Sequence, residues 1–301
     1  MADVLHPDIV AWLTEIDRQG KSALTCAGYR RALANFVHWS EQTYGQPFDP
    51  SAIIPRDLAD WKAFQQTVKG AKPATINQRL VAVSRFFKWA TAHGHARSDP
   101  TAGVRGLRLE ARRPKALDDV ALRRLLRQVH QEGDLRDIAL VELLAGTGLR
   151  ISETMDLQRR DVVVNDRSGE VVVRRGKRGA HRRVPLTAPV RGALRAYLDA
   201  HPSLKNDNPL WVGQRGSLAD RSGVVKLLKR YARHAQVDEE TVSPHVLRHT
   251  FATRYLAANP GDLRGLAAIL GHSDLNTVMI YTEPKTSDLA ARMERAEAAG
   301  M

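Results

Sequence analysis

The stretch Leu135 to Glu153, LRDIALVELLAGTGLRISE, decides how this chain is read. Leu135 to Leu144 predicts a strongly apolar helix. Gly146-Thr147-Gly148 ends it, and the glycine pair releases one helix and opens another. Arg150 and Glu153 then sit three apart, on one helix face. An arginine at a helix start suits an anion, although a capping turn with a surface ion pair accounts for the same letters.

Outward toward the C-terminus the pattern changes. Val162 to Val164 and Val171 to Val173 flank the turn-like Asn165 to Gly169, and a third strand, His181 to Pro185, follows Gly176-Lys177-Arg178-Gly179. Helical periodicity resumes at Ala188–Leu198, Ser217–His234, Pro244–Ala258, Leu263–Leu270 and Leu275–Ile280, with a last helix over Ser287–Ala299. Toward the N-terminus, Leu117-Asp118-Asp119 is a capping signal before a helix over Val120 to Val129. The first hundred or so residues read as four helices: one around Ile9 to Ile16, one capped at Thr25, and two opened by Pro55 and Pro73. Ser98-Asp99-Pro100 breaks the fourth helix, and Arg108 to Lys115 is a basic, linker-like run. The expectation is a mainly α chain with a small β-sheet in two domains, 1–107 and 117–301, joined by 108–116.

The 301 residues carry a formal charge of +13 and are 43% hydrophobic, so a basic surface surrounds a real core. Such an excess points to a polyanion partner, of which nucleic acid is the commonest. One cysteine, Cys26, excludes an internal disulfide and a cysteine zinc site, and fits a reducing, cytoplasmic setting. Met1 to Val10 has no basic start followed by an apolar run, so no secretion signal is expected. No stretch approaches the ~20 apolar residues of a membrane span.

Two further segments carry chemistry. In Pro244-His245-Val246-Leu247-Arg248-His249-Thr250, His245 and Arg248 share a face. His245 and His249 have the spacing of a metal pair, but the glutamate of the zinc-protease signature and an obvious third ligand are missing. In Leu270-Gly271-His272-Ser273, His272 precedes Tyr281 by nine residues. Two arginines, two histidines and a tyrosine suit phosphodiester transfer. Arginine forks bind the non-bridging oxygens and the charge that grows in the transition state. A tyrosine hydroxyl needs a positive field or a base to become a nucleophile, and the leaving oxygen needs a proton.

In that order and spacing, Arg150, His245, Arg248, His272 and Tyr281 resemble the R…HxxR…H…Y pattern of the tyrosine recombinases, with Xer-like contexts around Arg150 and His272. The resemblance implies a helical, SAM-like core-binding domain and a mixed α/β catalytic domain, forming a C-shaped clamp on double-stranded DNA. It implies Tyr281 as nucleophile, Lys177 in the strand turn as general acid, and Glu153 as a prop for Arg150 or a histidine. Arg174, Arg175, Arg178, Arg182 and Arg183, with Lys72 and Arg79 of the first domain, are expected to meet DNA. No cofactor and no metal are implied. Paired recombination sites, a homotetramer on DNA formed from monomers or dimers, and docking of helix 287–299 on a neighbour follow from the same likeness. An accessory protein, the target sequence and the direction of exchange stay open. A type IB topoisomerase shares the chemistry, and a DNA-binding protein without catalysis would share the charge.

Overall fold

In this computed structural model the described residues are 5–109, 116–174, 181–213, 216–217, 221–271, 293–294 and 297–298. The chain divides into two compact units, Met1–Arg112 and Arg113–Met301.

The first unit holds α1 (Pro7–Arg18), α2 (Ala23–Tyr44), α3 (Pro55–Thr67) and α4 (Pro73–Ala92). Three of these open on proline, whose fixed φ suits the first turn and whose missing N–H costs nothing there. The cap of α2 is Ser22, not Thr25. Ser22 is extended and its hydroxyl accepts the Thr25 N–H at 3.2 Å, so the helix starts three residues earlier than the sequence suggested. Phe36 lies at the centre of the core, edge-on to Trp61 with centroids 4.9 Å apart. Leu33, Ile76, Val83, Phe86 and Phe87 close around it. Each such side chain contributes about 2 kcal/mol of burial. Asn77 then fixes the departing chain, donating to the Leu107 carbonyl at 2.9 Å and accepting its N–H at 2.7 Å.

The second unit is built on α6 (Leu135–Thr147). Ala139, Leu140, Val141, Leu143 and Leu144 are fully buried, because α5 (Asp119–Glu132), α8 (Ala188–Asp199) and α10 (Pro244–Ala258) all pack on it. Asp118 and Asp134 cap α5 and α6. Asp137, inside the first turn of α6, accepts from Tyr231 at 2.8 Å and from Arg136 at 2.7 Å. Burial first, then that bond to Asp137, pushes the Tyr231 hydroxyl up to about 12.

After the short α7 (Ile151–Met155) come β1 (Val162–Val164), β2 (Gly169–Val173) and β3 (Arg182–Pro185), an antiparallel sheet in the order β1-β2-β3. Val171, Val173 and Val184 face inward. α9 is Arg221–His234, and Ser217, expected at the start of this helix, is not helical. Ser217 belongs instead to β5 (Gly216–Ser217), which pairs with β4 (Val212–Gly213). Glycines at 213 and 216 weaken a helix there. α11 (Leu263–Leu270) ends at Gly271, whose φ is +66°. The helix expected over Leu275–Ile280 lies outside the described residues. Of Ser287–Ala299, positions 293–294 and 297–298 are described and are helical. Among the described residues, no helix is long and apolar enough to cross a membrane.

Candidate active site

The turn between α6 and α7 is pressed into the unit rather than exposed. Gly148 has φ +63°, and a Cβ there would lie 2.6 Å from the Phe251 ring and 2.9 Å from Leu270. Leu149 is fully buried and anchors the turn. Arg150 occupies the cap position of α7. Its backbone N–H donates to Glu153 at 2.9 Å and its guanidinium donates to the same carboxylate at 3.0 Å. The Arg150 side chain keeps 38% of its surface exposed, whereas that of Glu153 keeps 4%.

A carboxylate buried this deeply needs its remaining lone pairs satisfied as well as its charge paired, and Arg150 alone gives it one cation. Arg182, reaching over from β3, supplies the second, donating with both terminal nitrogens at 2.9 and 2.7 Å. Burial is the largest single influence on Glu153 and pushes its pKa up. The Arg182 hydrogen bonds, the Arg150 N–H and the two positive charges outweigh it and hold the carboxylate below its ordinary range.

Arg248 is 4% exposed, on α10. It donates to the Gly148 carbonyl at 2.7 Å and to the Leu270 carbonyl at 2.9 Å. Arg150 also reaches Leu270, at 3.4 Å. Two arginines distant in sequence therefore converge on the last carbonyl of α11. The C-terminal carbonyls of a helix lack intrahelical partners and carry partial negative charge, so cations settle there. Guanidinium groups gathered in this way suit an anion with several acceptor oxygens.

His245 and His249 lie one turn apart on α10, their Nε2 atoms 2.7 Å from each other. Burial and then the Arg248 charge lower His245. Burial, His245 and Arg248 lower His249 to about 4. Both rings are therefore neutral near pH 7, one donating to the other, and His245 can take part as a base or a hydrogen-bond partner. Among the described residues, no group of three or more His, Cys, Asp and Glu side chains could hold a metal ion.

The structure thus assembles Arg150, Glu153 and Arg248, with His245 a turn away from Arg248. Lys177, His272, Tyr281, Arg175 and Arg178 lie outside the described residues. Their points of departure do not: Val173 and Arg182 form the last pair of the β2–β3 ladder, and His272 follows Gly271 directly.

Among the arginines expected to meet DNA, Arg182 is held within the protein. Its side chain is 12% exposed and its fork is spent on Glu153. Its Nε donates to the Ile269 carbonyl at 2.8 Å. Strand alternation carries the signal: with Val184 inward, Arg182 shares its face and Arg183 takes the other. Arg183 is exposed and pairs with Glu170 at 2.7 Å. Arg174 is half-exposed and pairs with the buried Asp161. In the first unit, Arg79 donates to Gln65 at 2.9 Å and Lys72 occupies the N-cap position of α4. Sequence reasoning also missed Thr250, whose hydroxyl accepts the Leu117 N–H at 2.9 Å and ties α10 to the segment entering α5.

Comparison with known proteins identifies relatives of this chain. Residues 115–287 match the phage integrase family. The chain is 34% identical over 300 residues to tyrosine recombinase XerC of Methylobacterium sp. (strain 4-46), which covers 96% of this chain and 92% of that protein. It is 34% identical over 277 residues to tyrosine recombinase XerD of Ralstonia nicotianae, covering 90% and 86%. Among solved structures it resembles XerH site-specific recombinase bound to a palindromic difH substrate in a post-cleavage complex, with a TM-score of 0.75 at 22% identity over 93% of this chain and 81% of that one. That likeness is one of fold. XerA recombinase matches at 26% identity with a TM-score of 0.53, over 96% and 97% of the two chains.

Proposed function

Because this chain belongs to the phage integrase family of tyrosine recombinases, we propose that it acts on paired sites in double-stranded DNA with Tyr281 as its nucleophile. The observation that carries this reading is the convergence of Arg150 and Arg248 on the Leu270 carbonyl, two residues before His272.

A phosphodiester seated between the two guanidinium groups exchanges one neutral acceptor for charged oxygens. His272 adds a further donor. The Tyr281 oxygen attacks phosphorus and the bond to the 5′ oxygen breaks, leaving a 3′-phosphotyrosine. Lys177 supplies the proton that the departing 5′ oxygen takes up. His245, held neutral, accepts the phenol proton or binds the phosphate. Charge that builds on the non-bridging oxygens meets arginines already in place, worth a few kcal/mol per donor in such sites. The 5′ hydroxyl of a partner strand then attacks the phosphotyrosine and reseals the backbone, passing through a Holliday junction. One phosphoester replaces another at each step, so no nucleotide triphosphate is consumed.

Two cleavages on each of two duplexes call for four nucleophiles. We assign them to a homotetramer assembled on DNA from monomers or dimers, helix 287–299 docking on a neighbour. The two units, residues 1–107 and 117–301 with 108–116 between them, would both contact the duplex. Arg174, Arg175, Arg178 and Arg183, with Lys72 and Arg79, would contribute phosphate contacts, which fix position and leave base reading to other side chains. Work on nucleoid DNA in the reducing cytoplasm fits the single cysteine.

The test uses the protein's own site, recovered by selecting bound fragments from randomised DNA. A nick in the spacer lets the cut strand diffuse away, so a covalent adduct accumulates. Wild type is expected to give the adduct and Tyr281→Phe none, with binding retained. A wild-type protein that binds but never forms adduct would refute the proposal, and adduct persisting in Tyr281→Phe would refute the assignment of the nucleophile.

A further inference from the structure

Arg182 does more than balance a buried charge. Its terminal nitrogens hold both oxygens of Glu153, the carboxylate that fixes Arg150 through its backbone and its guanidinium. Its Nε holds the Ile269 carbonyl. The same group lies flat against the end of α11, where a Cβ on Gly271 would come within 2.7 Å of it. One guanidinium thus touches α7 and α11 from β3. Ile269 and Leu270, the last two carbonyls of α11, are consecutively occupied by Arg182 and by the pair Arg248 and Arg150.

We propose that Arg182 is a positioning residue of the recombination reaction, aligning Arg150 through Glu153 and holding the end of α11 that leads into His272. It reaches no substrate itself, since its Nε and both terminal nitrogens are engaged by Ile269 and Glu153 and its side chain is 12% exposed. The planar fork makes the full set of bonds, because a lysine ammonium cannot span two carboxylate oxygens and a separate carbonyl. This inference rests on the recombinase reading above.

The coupling gives the inference a signature that an ordinary structural arginine lacks. With Arg182 present, Glu153 stays ionised through the working pH range. Without it, burial dominates and Glu153 takes up a proton at higher pH, releasing Arg150. Other charged groups line the cleft beside the carboxylate: Asp156, Arg160, Asp161, Arg174 and His181. His181 is an ionisable neighbour in this cleft, so the variants must separate its contribution from that of Glu153.

The experiment measures single-turnover cleavage of the nicked substrate at saturating DNA from about pH 5 to pH 9, a range that covers histidine titration and that of a carboxylate raised above its ordinary value. Arg182→Gln is expected to cleave at least about tenfold more slowly, as misplaced phosphate-binding groups do. Its DNA affinity should stay near wild type, and a new acid limb should appear in its rate profile. Arg182→Lys should recover part of the rate. Adding Glu153→Gln to Arg182→Gln should remove the acid limb and cost little more, because the two residues act as one unit.

Wild-type cleavage by Arg182→Gln at every pH would overturn the inference. So would a deficit confined to DNA affinity, an acid limb that survives Glu153→Gln, or additive losses. Should Arg182→Gln melt below the assay temperature, Arg182→Lys carries the test, and a wild-type rate and profile in that variant would overturn the inference. Failure of wild type to form adduct would instead fault the recombinase reading, which separates the two outcomes.

Discussion

At the end of α11, three guanidinium groups meet two consecutive peptide carbonyls, and a glycine at each side makes the approach possible. Gly148 is the more demanding of the two. Its φ of +63° disfavours any side chain, and the space is already filled by Phe251 and Leu270. Gly148→Ala is expected to lower unfolding free energy by about 2 kcal/mol, the sum of left-handed strain and a small overpacking cost, and to slow cleavage by displacing Arg150. Chemical denaturation and adduct formation on the same preparation check both effects. His249 supplies a pH prediction. Its folded pKa is lowered to about 4, against about 6.5 in an unfolded chain. Between those values the unfolded state binds more protons, so stability is lost as pH falls from about 6.5 toward 4. His249→Gln should shrink the difference in unfolding free energy between neutral and acid pH, by on the order of 1 kcal/mol once solvent screening is discounted, as read by chemical denaturation at the two pH values. An unchanged difference would show that the ring titrates normally.

At the scale of elements, the sequence was readable where a terminus carries its own chemistry. Pro55, Pro73 and Asp118 mark helix starts that the structure reproduces. Reading failed where two candidates compete within one turn, as at Ser22 and Thr25, because both hydroxyls could cap and only the backbone angle of Ser22 decides. It failed again at Ser217, where a two-residue strand has too little sequence to show a period. For the site, the arginines and His245 were legible from order and spacing. Arg182 was hidden because its neighbours are arginines too, and a basic run read for its charge conceals which member points inward. Caps remain the clearest lever on element stability. Asp134 accepts the Asp137 N–H at 2.8 Å at the start of the buried α6. Asp134→Ala is expected to cost about 1 kcal/mol, a fall of roughly 2–4 °C for a unit of this size, read by thermal melting.

The whole molecule joins two separately cored units and carries a formal charge of +13. Affinity for DNA should therefore be dominated by counterion release. If about six phosphates are contacted, binding is expected to weaken by on the order of a thousandfold between about 50 and 200 mM salt. A nearly salt-independent affinity would mean that the basic surface does not track the backbone. Everything in the catalytic account leads to one bond, between the phenol oxygen of residue 281 and a DNA 3′ phosphate. The direct measurement digests the trapped complex and locates the nucleotide by mass spectrometry. The expected result is a single modified peptide with the mass added at Tyr281. A nucleotide carried by any other residue, or a complex that falls apart on denaturation, would contradict it.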